Sequence, residues 1–342
     1  MKPLTSRLKI GIAAAILAAG CATQAGQQAS AAGEEPAIAS ASLELDPPAR
    51  GFQIETAGLM IDVGDDIRWC EVVRVPGDAS DVYYVDRIEA AMTSGAQDLI
   101  VSAARVGSET EAIMDVGSRV PCTRAGEAFG EDLAQLTATQ HLYDDHRFPE
   151  GVGKVVHGGQ KIAIDYHYVG LAESDAELIP AKVKVNFHAV DEAAVRQVAH
   201  TANFHNLTIY TPPGGQSSHL AECMVDEEVL VGELARRTQA RGTGFSVWLR
   251  GGERDGELIW YSADPNDSVH ELLEPMRLLP GEGFRFQCDY QNNTDLELRF
   301  GVNATDEMCT LAATVWSPEE GTEPSPQGCL LLDVDHDGIA RD

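Results

Sequence analysis

The chain of 342 residues carries 25 Lys and Arg against 54 Asp and Glu, a formal net charge of −29. A field of that sign repels phosphate backbones and anionic lipid headgroups alike, which excludes nucleic-acid binding and electrostatic attachment to a bilayer. Apolar residues make up 44% of the chain and aromatics 6%, and no apolar run is long enough for a membrane span, so the body of the chain is expected to be soluble.

The first twenty residues supply Lys2, Arg7 and Lys9, then the apolar run 10–19, then Gly20 before Cys21. A charged start, a short apolar stretch and a small residue at the cut form an export signal over residues 1–20. The segment Leu17-Ala-Ala-Gly-Cys21 is similar to a bacterial lipoprotein box, with the leucine one place further from the cysteine than is usual. Cys21 is therefore expected to become the lipidated first residue of the mature chain. This reading gives a bacterial outer-membrane or cell-surface lipoprotein that touches the membrane only through its lipid anchor, or, without the lipid, a periplasmic or secreted protein. Residues 21–51, rich in Ala, Gln, Ser and Glu, bury too little to offset ordering entropy and are expected to be a flexible linker.

Beyond the linker the period is mostly two. Val183, Val185 and Phe187 fall on one face of 181–188, and Lys182, Lys184 and His188 on the other. Residues 161–169 and 283–290 alternate in the same way. Further strands are expected at 68–76, 82–91, 98–106, 206–211, 244–250 and 296–302, punctuated by turns such as Pro212-Pro-Gly-Gly215. Only 127–142 has a helical pattern. Many short strands predict an all-β fold: two antiparallel, jelly-roll-like β-sandwiches side by side over 52–200 and 201–330, with an acidic tail over 331–342. Besides Cys21, the six cysteines Cys70, Cys122, Cys223, Cys288, Cys309 and Cys329 show no C-x-x-C spacing and read as three disulfides, whose pairing the count leaves open among fifteen connectivities.

Phosphate-binding loops, nucleophile elbows and zincin helices have no motif here. Asp65-Asp66 and Asp144-Asp145 read as solvated turns. Ser217-Ser218-His219 lacks a third member for a triad. His141, His146 and His157 lie on loop-like sequence, and His200 and His205, five apart, face opposite ways on one strand.

The segment from Gly281 through Cys288, Tyr290 and Asn292 to Thr294, followed by Phe300-Gly301 and Asp306-Glu-Met308-Cys309, resembles the C-terminal domain of the copper type II, ascorbate-dependent monooxygenases. That is the family of peptidylglycine α-hydroxylating monooxygenase and dopamine β-monooxygenase. Phe148-Pro-Glu-Gly-Val-Gly153, Asp165-Tyr-His167-Tyr168 and 242–249 extend the likeness to roughly residues 52–330. The resemblance implies two sandwiches flanking a cleft, with bridges Cys70–Cys122, Cys288–Cys309 and Cys223–Cys329. It also implies two coppers, one on an adjacent His pair and a later His, the other on His-x-His and a Met. Such a metal centre would hydroxylate a C–H bond with O₂ and ascorbate. Residue by residue, only His167 and Met308 match as copper ligands.

The other four positions carry no imidazole. No His precedes His141, and the adjacent pair falls near Gln97-Asp98-Leu99. No His lies between His219 and His270, and the His-x-His position falls on Arg237-Thr238-Gln239, where a guanidinium cannot ligate a cation. The expectation is a degenerate member with its copper apparatus lost, no assigned catalytic residue, and a ligand or protein partner in the old interdomain cleft. The alternative is an active copper monooxygenase using other ligands. In the tail, Asp333, Asp335 and Asp337 before Gly338 match the start of a calcium loop, with the twelfth-position carboxylate missing, which makes calcium a second candidate cofactor.

Overall fold

A computed structural model describes residues 43–331 apart from 123–127, 131, 171–177, 265, 323 and 325–327. The expected signal, Cys21, most of the linker, and Asp333, Asp335 and Asp337 lie outside the described residues.

The described chain is almost wholly strand, in two packed pairs of mainly antiparallel sheets. In the first sandwich a six-stranded sheet runs Gly51–Glu55, Val183–Val190, Val82–Met92, Val152–His157, Gln197–Val198, with Tyr143–Arg147 also on Val82–Met92. Its partner is five-stranded, in the order Arg119–Pro121, Asp66–Arg74, Lys161–Val169, Ala96–Ala104, Leu133–Thr139. Alternation builds the core between them. Val183, Val185 and Phe187 from one sheet meet Ile162, Ile164, Tyr166 and Tyr168 from the other, all fully buried. Each such side chain contributes roughly 1.5–3 kcal/mol by leaving water. Phe52 stacks on Phe187 with ring centroids 4.7 Å apart. The chain enters this sheet through Gly51 at φ 114°, where an added Cβ would lie 1.8 Å from the Phe187 carbonyl oxygen, so only glycine fits.

In the second sandwich, one sheet is Val269–Leu278, Val229–Arg237, Thr310–Trp316, His200–Asn206, Gly328–Leu331, and the other is Gln216–Met224, Gly283–Gln291, Gly242–Arg250, Leu258–Ser262. Phe204, Phe245, Phe284 and Phe286 fill its core. Disulfides join Cys70 to Cys122 and Cys288 to Cys309. Cys223 is also disulfide-bonded, and the side chain of its expected partner Cys329 lies outside the described residues. The two sandwiches interlock at Trp316: its strand belongs to the second, its indole packs in the first core, and it lies against Gly232, where a Cβ would fall 2.4 Å from the ring. Among the described residues no helix is long and apolar enough to cross a membrane.

Of the helix expected over 127–142, only Ala128 and Phe129 are helical among the described residues. Leu133–Thr139 is instead a strand paired with Ala96–Ala104. Leu133 and Leu136, three apart, imitate a helical stripe, but the open edge of the five-stranded sheet offers backbone partners that outweigh this weak propensity. The expected strand over 206–211 begins earlier, at His200, and breaks after Asn206, whose side chain accepts from the Thr208 N–H at 2.9 Å. Of 296–302 only Leu298–Arg299 is strand.

Candidate functional site

Three adjacent strands of the five-stranded sheet bring the charged residues together. His167 lies opposite Arg68 on one side and opposite Asp98 on the other, and Asp165 is two residues away on the same face. The Arg68 guanidinium forks onto Asp98 with bonds of 2.8 and 3.0 Å, while its Nε lies 2.8 Å from Asp165. His167 Nε2 is 2.7 Å from Asp66 and Nδ1 is 3.6 Å from Asp98. The side chains of Arg68, Asp98, Asp165 and His167 are nearly inaccessible, at 6%, 4%, 1% and 1%.

The second sandwich closes this cluster. The Ala304 N–H donates to Asp66 at 2.8 Å. Arg237 is near enough to Asp98, Asp165 and Arg68 to feel their charges, and burial pushes its pKa down to about 10 despite the two carboxylates. With His167 protonated, Asp66, Asp98 and Asp165 are balanced by Arg68, Arg237 and the imidazolium. Burial opposes charging of His167, yet Asp98 and Asp66 raise its pKa above the ordinary histidine value. Burial likewise works against ionising Asp98, but Arg68 and His167 hold its carboxyl well below the usual carboxylate range.

Copper does not fit these residues. Of the positions that a first copper would use, Asp98 is committed to Arg68, and both ring nitrogens of His167 face carboxylates. A guanidinium already sits between the acidic groups. At the second position Arg237 brings another cation, and Met308 offers no imidazole neighbour in sequence. The Met308 carbonyl accepts from the Tyr290 hydroxyl at 2.7 Å, beside the Cys288–Cys309 bridge. Among the described residues the one grouping of three His, Cys, Asp or Glu donors is Cys70, Cys122 and Asp165, of which two are disulfide sulfurs. Glu307 takes a structural part next to Met308: it accepts from the N–H groups of Gln239 and Arg241, both at 2.7 Å, and so pins the turn after Arg237.

A cleft of about 170 Å³ opens between the sandwiches next to this cluster, with Arg237 on its wall. Lys154, His146 and Phe148 come from the first sandwich, and Thr201, Glu233 and Thr314 from the second. Lys154 is 4% exposed because it shares the inward face of Val152–His157 with Val152 and Val156. Its ammonium donates to the Gln135 carbonyl at 2.9 Å and the Thr201 hydroxyl at 3.1 Å, and it lies 5.9 Å from the centre of the Phe148 ring. Burial lowers the Lys154 pKa to about 7, with Glu233 pulling the other way. His146 Nδ1 is 3.0 Å from Glu233, which raises the imidazole's pKa against the cost of burial, and Thr314 donates to Glu233 at 3.3 Å.

The remaining candidates are dispersed. His146 is on a strand, not a loop, and faces Glu233, while His141 meets Ser268 at 2.9 Å, so no joint site forms with His157. His200 and His205 share one strand on opposite faces, and His205 meets Thr310 at 3.0 Å. Ser217 and His219 do touch, at 2.9 Å, but the same Nε2 also lies 3.1 Å from the Tyr210 carbonyl, and Ser217 bonds Thr211. Asp66 and Asp145, read as solvated turns, are both engaged on strands: Asp66 holds His167, and Asp145 takes a bidentate contact from Arg87. Lys154 was missed because a lone lysine between Gly153 and Val155 carries no motif. The signal available was its inward phase in Val152-Gly-Lys154-Val-Val156.

Fold and site thus define an all-β protein of two disulfide-braced sandwiches, with a buried ionic cluster and a polar cleft at their junction. No family model matches the chain, and no curated protein sequence matches it. Among solved structures it is similar to the STIV MCP at 6% identity, covering 76% of this chain and 96% of that one with a TM-score of 0.30. A quasi-atomic model of the PBCV-1 virus capsid matches at 6% identity over 80% and 97%, TM-score 0.25. A secreted protein from Parabacteroides distasonis matches at 7% over 78% and 91%, TM-score 0.18. Likenesses of this grade carry no functional argument.

Proposed function

We propose that the protein is an exported, Cys21-anchored lipoprotein, a degenerate relative of the copper type II monooxygenases, that binds a small polar ligand in its interdomain cleft. The observation that carries this reading is the pairing of two features at one junction. Where the resemblance puts copper ligands, the chain has a self-neutralising ionic cluster; beside it, both sandwiches contribute polar groups to a cleft holding a buried lysine. Buried titratable groups with displaced pKa values in a concave site mark a binding or reactive centre. The cluster fixes the two walls, since Asp66 reaches the Ala304 backbone across the junction.

The test is a ligand-observed NMR screen of small polar molecules on the full mature chain, repeated on Glu233→Gln. Hits that weaken at least about tenfold in the variant, a loss of about 1.4 kcal/mol, support a cleft site. Hits indifferent to Glu233, together with two retained coppers and ascorbate-dependent oxygen uptake on glycine-extended peptides or catecholamines, would make the protein a working monooxygenase instead.

A further inference from the structure

We propose that Lys154 is a reactive amine that captures a small carbonyl compound, an aldehyde or a 2-oxo acid, as an imine in the interdomain cleft. This rests on the reading of the cleft as a ligand site and names the ligand's chemistry.

The geometry sets Lys154 apart from the rest of the chain's lysines. Only four lysines follow the export signal: Lys154, Lys161, Lys182 and Lys184. Lys161 is tied to the carbonyls of Glu111 and Met114 at 2.8 and 2.6 Å, and Lys182 and Lys184 reach the Glu55 carboxylate. Lys154 has only neutral acceptors, Gln135 and Thr201, and no carboxylate within ion-pair distance among the described residues. Lys154 also lines the cleft between the sandwiches, although it is 4% exposed. Desolvation lowers its pKa to about 7, which favours the free amine that attacks carbonyl carbon.

The groups the reaction needs line the same cleft. The Nζ lone pair forms a bond to the carbonyl carbon, and the carbonyl π pair moves to oxygen, which takes a proton. The nitrogen then loses a proton, the carbinolamine hydroxyl takes one and leaves as water as the nitrogen lone pair forms the C=N bond, and the resulting iminium gives up its proton. Amine plus carbonyl gives imine plus water, with no oxidant or reductant. His146, whose pKa Glu233 raises against the cost of burial and whose ring stands edge-on to Phe148 at 4.5 Å, is the acid on the first-sandwich wall. Arg237, on the wall from the second sandwich, offers a cation to the carboxylate of a 2-oxo acid. The volume of about 170 Å³ suits a molecule of a few heavy atoms.

The full mature chain is incubated at pH about 7.5 with cyanoborohydride and either glyoxylate or acetaldehyde, and the reduced adducts are mapped by mass spectrometry. Lys154 is expected to be modified at least about tenfold faster than Lys161, Lys182 or Lys184, an advantage that shrinks as pH rises toward about 10 and the ordinary amines lose their protons. A lead in the glyoxylate arm alone assigns a 2-oxo acid, and a lead in both assigns a simple aldehyde. Lys154→Arg, which keeps hydrogen-bond donors but removes the nucleophilic amine, should abolish the fast labelling while its circular dichroism stays that of the parent. Glycolate, which cannot form an imine, separates the two levels of the argument. If Lys154 labels no faster than the others but glycolate shifts cleft resonances, the imine inference falls and the cleft reading stands; if neither occurs, both fall.

Discussion

Arg68→Met removes the central cation of the buried cluster and leaves Asp98 and Asp165, 4% and 1% exposed, without their shared guanidinium. Breaking a buried pair by deleting one partner costs about 3–5 kcal/mol, because the remaining charge stays desolvated. For a chain of this size unfolding as one unit that corresponds to a fall in Tm of roughly 5–8 °C. The pH dependence gives a second signature. With Arg68 gone, burial governs Asp98 and raises its folded pKa above the unfolded value of about 3.9. A raised carboxylate is tolerated below the unfolded pKa and destabilises as pH climbs through the folded one, so the deficit should widen toward pH 8. In the parent the sign is opposite: Asp98 is held low, contributes stability above about pH 3.9, and loses it as pH falls toward the folded value. Adding Asp98→Asn and Asp165→Asn to Arg68→Met should restore part of the loss, since no uncompensated charge remains. The assay is urea unfolding followed by tryptophan fluorescence across pH. A loss under about 1 kcal/mol, the worth of an exposed pair, would refute the claim that the cluster is a buried, self-neutralising unit.

Three further outcomes are expected. Burial raises Glu307 to about 7, so its stabilising neutral form is fully present below about pH 4.5 and lost as pH rises through 7; Glu307→Gln should flatten the fall in stability between pH 5 and 8, by on the order of 3 kcal/mol, in pH-resolved denaturation. Replacing Cys288 and Cys309 by Ala opens a loop with a sequence separation of 21 and should cost about 3 kcal/mol, whereas in the oxidised parent a thiol titration should find no free sulfhydryl among Cys70, Cys122, Cys223, Cys288, Cys309 and Cys329. Calcium should bind the tail weakly, with a Kd of roughly 10⁻⁴–10⁻³ M by calorimetry, and the heat should vanish when Asp333, Asp335 and Asp337 are all changed to Asn; equal heats in the two chains would place calcium elsewhere.

How far the sequence discloses this architecture depends on whether apolar and polar residues alternate along a strand. They do in Val183–Val190 and in Lys161–Val169, so the inward apolar residues of both are readable from the chain alone, although the polar face of Lys161–Val169 is buried as well. Thr310–Trp316 is buried on both faces along its whole length, because it is a central strand that also meets the first sandwich, and its run of Thr, Leu, Ala, Ala, Thr, Val and Trp shows no period to detect. The candidate site follows the same logic. His167 and Arg237 stand out against the family pattern, the one by matching it and the other by failing to. Arg68, Asp66 and Asp165 become partners only through the registers of three strands, which no local spacing records. Lys154 looks like any lysine until its strand is placed beside Val82–Met92 and its side chain turns inward.

We propose that a guanidinium and its carboxylates stand at the junction where the resemblance places a metal. Crystals of the mature protein soaked in copper and measured at the copper absorption edge test it directly. The account predicts no anomalous peak within bonding distance of His167 or Met308, and an Arg68 guanidinium still bridging Asp98 and Asp165. A fully occupied copper bound to His167, with Arg68 swung away from the two carboxylates, would contradict it.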